Sequence, residues 1–452
     1  MKIPRSIITA RSRIAGITLA AAALLAMTGC VNDDSPCLPD KDAMLTMEFS
    51  IVTRGARAGD RSATETRVTE PANSQIGTPA ENYLDIPNMA FLLFDADRKL
   101  ITTFYPEVTA EGNIYKKYNV ICRIPQGTFD YAVGDDVTFY IMVLANYKTN
   151  NPSRINFTPG IGFDPLFHMQ TVGTCNFPLT RNADNPDYWW SPDIDHGQYI
   201  PMSGMRRFTV TKAQLLASNP TNPLQLSSTE DEEINMLRTV AKIEIVDRIQ
   251  YDEVTNTQPP LTNRIAVEKA ELLGYFDKLS ILPTLANWQS TETETDYVQT
   301  PSIPSTAVYH EPKSYAAVHP EGDGVTPATQ NQNVIIDFFY DETATQARAD
   351  KCRVFSAYVS EYDNAMVTNE GKTPAWMAVT IMVNNVGDQE SNPVFEVKLA
   401  PYANNIPGTT MNLLRNNIYR YEINSASMDM HTDITYTVCP FDDYTINPPI
   451  FE

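Results

Sequence analysis

The sequence is short of the residue patterns that carry chemistry. Its 452 residues hold five histidines, at 168, 196, 310, 319 and 431. None stands at HExxH or i, i+4 spacing, so a histidine-based metal or catalytic centre has no support. Six cysteines, at 30, 37, 122, 175, 352 and 439, form no CxxC pair and no Cys/His cluster, which removes zinc and thioredoxin-type sites. Ser203 lacks the GxSxG surroundings of a hydrolase nucleophile and is read as a turn serine. Gly160 and Gly162 leave GxGxxG incomplete, with no helical pattern after them. Asp193, Asp195 and Gly197 match part of a calcium loop, but the later bidentate glutamate is missing, so a solvated turn is expected. No carboxylate pair can be singled out among 55 acids. The chain is read as a non-enzyme with no cofactor and no metal.

Positive charge is scarce as well. Against 34 Lys and Arg stand 55 Asp and Glu, for a net charge of −21. An acidic chain without basic clusters is a poor binder of nucleic acid, and no nucleic-acid partner is expected. Long apolar runs are missing after Met27, with nothing approaching the ~20 residues that span a bilayer. The exception is the start. Lys2, Arg5, Arg11 and Arg13 precede an apolar run from Ile14 to Met27, the pattern of a secretory signal. Met27-Thr28-Gly29-Cys30 resembles the bacterial lipoprotein cleavage box, with Met27 where leucine is usual. Residues 1–29 are therefore expected to be removed, Cys30 to carry lipid, and 30–43 to act as a polar tether. The alternative is an ordinary secretory signal that happens to contain a cysteine. With Cys30 acylated, an odd number of cysteines remains. Cys122, Cys352 and Cys439 lie in apolar strand patterns and are read as buried small hydrophobes, so no disulfide framework is indicated.

What the sequence does have is strand pattern. Hydrophobic residues at 42% and charged residues at 20% are ordinary for a globular chain. The 32 prolines and 22 tyrosines favour short strands joined by loops. From Leu45 to Thr53, the residues Leu45, Met47, Phe49 and Ile51 alternate with Thr46, Glu48 and Ser50, and only Val52 breaks the pattern. This predicts a strand with one buried face. A polar loop, 55–82, follows without periodicity, sprinkled by Arg54, Arg57, Arg61 and Arg67.

Further on, a hairpin is expected from Met89 to Tyr105 around DADRK, and strands at Tyr118–Ile124 and Val137–Ala145, the latter buried on both faces. A short helix over Thr211–Ser218 should be capped by Thr209 or Thr211. The polar stretch Asn219–Asp231 reads as a boundary. Beyond it, Leu237, Thr239, Ala241, Ile243 and Ile245 share a face, with Arg238, Lys242 and Glu244 opposite. Strands follow at Ile265–Phe276, Val334–Tyr340, Arg353–Tyr358, Trp376–Val383, Val394–Leu399 and Asn417–Ile423, the last with Tyr419, Tyr421 and Ile423 inward. Between them 284–332 is a long loop. At the end Ile434, Tyr436, Val438, Tyr444, Ile446 and Ile450 all fall on even positions. Many short strands with proline-rich turns imply an all-β chain of two tandem β-sandwich domains, at 44–232 and 233–452.

Several of these stretches resemble one family, the bacterial fimbrillins that build type V pili. Leu237-Arg238-Thr239-Val240-Ala241-Lys242-Ile243 is similar to their R-V-x-A-[KR]-[IV] strand. Arg415-Asn416-Asn417-Ile418-Tyr419 is similar to R-N-x-x-Y, and Ile200-Pro201-Met202-Ser203-Gly204 to P-M-[ST]-G. The closing TYTVCPFDDYTINPPIF resembles their terminal segment, with Phe441 in place of the usual Trp. Met44 to Ala58 resembles their first strand and its arginine loop. The resemblance implies two transthyretin-like sandwiches and export as an outer-membrane lipoprotein. It further implies cleavage by a trypsin-like protease after the first strand and polymerisation by donor-strand exchange, in support of adhesion. Spacing favours cutting after Arg57, then Arg54. Expected partners are other fimbrial subunits, as homopolymer or accessory subunits, the outer membrane through lipid on Cys30 before processing, and a host surface protein or glycan. The role can be stalk, tip adhesin or anchor; the arginine-bearing loop favours a processed subunit. The rival is a surface glycan-binding lipoprotein, using Trp189, Trp190 or the 284–332 loop, with a glycosidase as a distant third.

Overall fold

Alternating and wholly apolar runs fold here as strands, and the polar and proline-bearing stretches between them as turns. The computed structural model describes residues 44–53, 80–104, 106–110, 117–147, 176–178, 189–227, 233–249, 265–280, 307–312, 333–336, 338–340, 353–362, 367–368, 370–383, 394–426 and 432–440. In chain order, the strands before Thr239 are β1 (Met44–Val52), β2 (Ala90–Phe94), β3 (Leu100–Phe104), β4 (Glu107–Ala110), β5 (Lys117–Pro125), β6 (Asp136–Ala145), β7 (Asn176–Pro178), β8 (Met202–Thr211), β9 (Leu224–Gln225), β10 (Ile234–Asn235) and β11 (Leu237–Arg238). After it come β12 (Val240–Asp247), β13 (Ile265–Leu273), β14 (Tyr275–Phe276), β15 (Lys278–Ser280), β16 (Tyr309–His310), β17 (Asn333–Ile336), β18 (Phe338–Tyr340), β19 (Arg353–Ser360), β20 (Trp376–Val383), β21 (Val394–Lys398), β22 (Tyr402–Ala403), β23 (Ile406–Pro407), β24 (Asn417–Ala426) and β25 (Thr432–Pro440).

These strands form four main sheets. One runs β10-β1-β5-β4, with β9 also beside β1, and the second runs β11-β8-β6-β2-β3. The third is β18-β19-β12-β24-β25 and the fourth β17-β13-β20-β21. The first two sheets use strands before Thr239 and the other two use strands after it, while the small pair β7–β15 joins the two sets. The central position of β6, between β8 and β2, explains its unbroken apolar run. The β2–β3 turn is held by Asp95, whose Oδ1 accepts the Lys99 amide at 2.8 Å. The helix α1 (Lys212–Ala217) is capped by Thr211: its hydroxyl accepts the Gln214 amide, and the Gln214 side chain accepts the Thr211 amide, a reciprocal capping box.

Three expectations need correction. Ile265–Phe276 is two strands, because Gly274 turns the chain at φ +87°, and a Cβ there would lie 2.8 Å from the Tyr309 hydroxyl. The continuation β14 pairs with β16, a piece of the expected 284–332 loop. Val334–Tyr340 is also two strands: β17 pairs with β13 in the fourth sheet, and β18 with β19 in the third. Ser203 is not in a turn. It lies buried in β8, opposite Leu144 and Leu237. Its neighbour Gly204 is required by packing, since a Cβ would come within 2.5 Å of the Asn235 carbonyl oxygen on β10.

Candidate functional site: the seat of the first strand

β1 is a central strand whose two neighbours come from distant parts of the chain. On one side it pairs antiparallel with β5 along its whole length, from Met44 opposite Pro125 to Val52 opposite Lys117. On the other side β9 pairs in parallel at Met47 and Glu48, and β10 in parallel at Ile51 and Val52. Backbone contacts continue this grip. The Leu226 amide donates to the Glu48 carbonyl at 2.8 Å, and the Met236 amide to the Val52 carbonyl at 2.7 Å. The Ser50 amide donates to the Ser227 hydroxyl at 3.2 Å. The expected boundary stretch at 219–231 thus supplies part of a flank of β1 rather than a plain linker.

The alternation places Leu45, Met47, Phe49 and Ile51 in the core, all buried. Across the ladder they face Ile124, Cys122, Val120 and Tyr118. From the second sheet Phe91 meets Phe49 edge-on, ring centroids 6.2 Å apart. The expectation of a single buried face is corrected: Thr46, Ser50 and Val52 are buried too. Glu48 is half-buried. Its carboxylate accepts the Asn119 side-chain amide at 2.5 Å and that of Gln225 at 2.6 Å, one from each flank. At the far end Lys117 pairs with buried Glu233 at 3.0 Å.

Four core side chains of this size contribute about 6–12 kcal/mol, close to the whole net stability of a typical domain, about 5–15 kcal/mol. Emptying the seat would expose an apolar trough and unpair three flanking strands, β5, β9 and β10. Cys122 lies on its β5 side, opposite Met47, as a buried free thiol. Burial pushes it up to about 12, against smaller opposing hydrogen bonds from the Met47 and Cys122 backbone, so it is inert while covered.

A second polar feature lies where the first pair of sheets meets the second. Sequence periodicity sets Arg238, Lys242 and Glu244 opposite an apolar face, as if solvated. All three are buried. Lys242 Nζ reaches Glu81 Oε1 at 2.7 Å and Glu244 Oε1 at 2.6 Å. Glu244 Oε2 also accepts Arg420 Nε at 2.8 Å, and the Tyr358 hydroxyl donates to Glu81. Arg238 donates to the Glu81 carbonyl at 3.0 Å, to Asn416 Oδ1 at 3.1 Å and to Asn82. Burial alone would raise the Glu244 pKa, but Arg420 and Lys242 outweigh it and hold the carboxyl at about 2. The same acids hold Lys242 above its ordinary value despite its burial. Nearby, Arg415 is buried against Glu361, with Nη2 to Oε1 at 2.6 Å. The only sequence signal for this network is a run of charges inside an otherwise apolar strand.

Other candidate residues fall as follows. Trp189 and Trp190 are both 3% exposed, which corrects the reading of them as a sugar-binding surface. Trp189 donates from its ring nitrogen to the Tyr358 carbonyl at 2.7 Å, and Trp190 stands edge-on to the Tyr358 ring. Asp193 closes a turn, accepting the Asp195 amide at 2.9 Å and contacting His196 Nδ1 at 2.7 Å. Among the described residues no group of three or more His, Cys, Asp or Glu could hold a metal, and no helix is long and apolar enough to cross a membrane. Ile434 and Tyr436, the first two of the even-position residues at the chain's end, belong to β25, which pairs with β24 along the third sheet. Ile434 is buried, and the Tyr436 ring packs on Tyr421. Cys30, Arg54, Arg57, Tyr444, Ile446 and Ile450 lie outside the described residues.

No family model matches the chain, and no curated protein does. Solved structures do. The tip fimbrial protein Mfa3 from Porphyromonas gingivalis, with a C-terminal truncation, is 13% identical at a TM-score of 0.43, covering 88% of this chain and 100% of that one. A fimbrial assembly protein from Parabacteroides distasonis is 14% identical at 0.39, covering 89% and 98%. The fimbrial anchor protein Mfa2 from Porphyromonas gingivalis is 9% identical at 0.30, covering 88% and 100%. The chain is similar to these fimbrial proteins in being built of several β-sheets, at distant identity.

Proposed function

We propose that this chain is a non-enzymatic subunit of cell-surface fimbriae. It is exported as a lipoprotein through Cys30, cut at Arg57 or Arg54, and joined to other subunits by strand exchange in support of adhesion. The two sandwiches at 44–232 and 233–452 would be the repeating body of the fibre. The observation that carries this reading is the placement of β1. It is a central strand, buried and paired on both sides, yet its last residue, Val52, stands two positions before Arg54 and five before Arg57. A cut there frees the strand from the rest of the chain. An open seat with two strand edges accepts another extended segment, and head-to-tail donation of this kind yields a filament.

In this reading the donor lies within 441–452, with Tyr444, Ile446 and Ile450; Ile434 and Tyr436, which the sequence pattern groups with them, pair within the third sheet. Between stalk, tip and anchor roles, the arginines after β1 favour a processed stalk subunit; tip adhesin and anchor stay as alternatives. The test is the N-terminus of the protein recovered from cells, together with the state of a chain ending at Pro440. An N-terminus at Ala58 or Gly55, and monomers only from the shortened chain after cutting, are the expected results. An N-terminus at Cys30 on protein drawn from fibres would overturn the reading.

A further inference from the structure

The seat of β1 reads more than apolar spacing. On its outer side, the Asn119 and Gln225 amides converge from opposite flanks on the two carboxylate oxygens of Glu48. The strap that carries Gln225 grips β1 around this residue, through Met47 and Glu48 in the ladder, the Leu226 amide on the Glu48 carbonyl, and Ser227 on the Ser50 amide. A carboxylate has two acceptor oxygens and no donor, so it satisfies both amides at once. An apolar side chain there would leave both without a protein partner. Alternating apolar residues alone do not fix register well, since a slip by two places keeps the same face inward. A single polar contact at one place removes that ambiguity.

We infer that Asn119 and Gln225 form a specificity site that selects, for the seat, an extended strand bearing a carboxylate between two inward apolar residues, and that fixes its register. This rests on the proposed strand exchange. The partner is defined by its chemistry, apolar-acid-apolar in an extended strand: the resident Met47-Glu48-Phe49 is one example, whereas 441–452 places Thr445 between Tyr444 and Ile446, so the site favours the first strand or an acid-bearing segment of another subunit over this chain's own end.

The full chain, cut in the arginine loop by brief trypsin treatment, provides the test. A fluorescent peptide spanning Leu45–Thr53 is added in excess, and its uptake is followed by anisotropy. The same peptide with Glu48→Leu should bind about three- to tenfold more weakly, as loss of a part-buried charge-assisted hydrogen bond from Asn119 and an exposed one from Gln225 implies. Changing Asn119→Ala and Gln225→Ala together in the protein should erase that difference. With oxidised glutathione as oxidant, a peptide with Met47→Cys should form a disulfide with Cys122, its cross-strand neighbour, whereas one with Leu45→Cys, two residues out of place, should not. Adding Glu48→Leu to the Met47→Cys peptide should lower the disulfide yield. Equal affinities for the parent peptide and its Glu48→Leu variant would overturn the specificity site and leave exchange intact. Uptake of no peptide at all would overturn exchange, and the specificity site with it.

Discussion

Phe49→Ala in the uncut chain should loosen the seat far more than its single position suggests. Phe49 is 1% exposed and its ring meets Phe91 edge-on at 6.2 Å. Truncating such a ring costs about 3–5 kcal/mol, the lost burial and the cavity together. Met44, on the same strand but 45% exposed, has no such surroundings, and Met44→Ala should change stability by about 0.5 kcal/mol or less. Cys122 offers a local reporter, because its thiol lies across the ladder from Met47 and is buried with it. Alkylation of Cys122, mapped by peptide mass spectrometry, then measures how often the strand opens. At about 1.4 kcal/mol per factor of ten, Phe49→Ala should speed labelling by about a hundredfold or more, and Met44→Ala by about twofold or less. Rates for Phe49→Ala within about threefold of the parent would refute the argument, since the strand would then not be held by the residues that fill its core face.

Lys242→Met should cost about 3–5 kcal/mol in a thermal or urea melt, because it leaves the buried Glu81 and Glu244 without their shared cation. Lys372→Met, which breaks an exposed pair with Glu370, should cost almost nothing. Glu244 is held at about 2 against an ordinary 4.5, so its contribution is present above pH 4.5 and lost as pH falls toward 2. Glu244→Gln should flatten the acid limb of stability in that window, as read by urea midpoints from about pH 5 to about pH 2. Gly204→Ala should push β10 away from β8, costing about 1–3 kcal/mol, with faster amide exchange at Met236 as the local sign.

Much of the architecture was legible because strand periodicity is a local property. The strands expected at 137–145, 376–383 and 417–423 are found at 136–145, 376–383 and 417–426, and of the two expected caps, Thr209 and Thr211, the helix uses Thr211. What alternation cannot say is what lies on each side of a strand. Glu48 and Gln225 are 177 positions apart, and Arg238 and Asn416 are 178 apart, so nothing near either residue announces the pairing. For that reason the strand predicted with one solvated face is buried on both, and the charges of β12 look like a wet face when they form an internal network. The tryptophan pair left two readings open, a sugar-binding surface or plain packing, and packing is what is found: each has a partner on β19. Part of the C-terminal even-position pattern proved to be an edge strand of the protein's own third sheet.

Strand exchange requires β1 to be a removable occupant, and the reactivity of Cys122 tests this most directly in three states of one protein. In the uncut chain labelling should be slow. After cutting in the arginine loop and washing out the first-strand peptide it should become fast, and in assembled fibres slow again, as another segment covers the trough. Labelling that stays equally slow through cutting, washing and assembly would mean that the seat never empties, and the strand-exchange account would be contradicted.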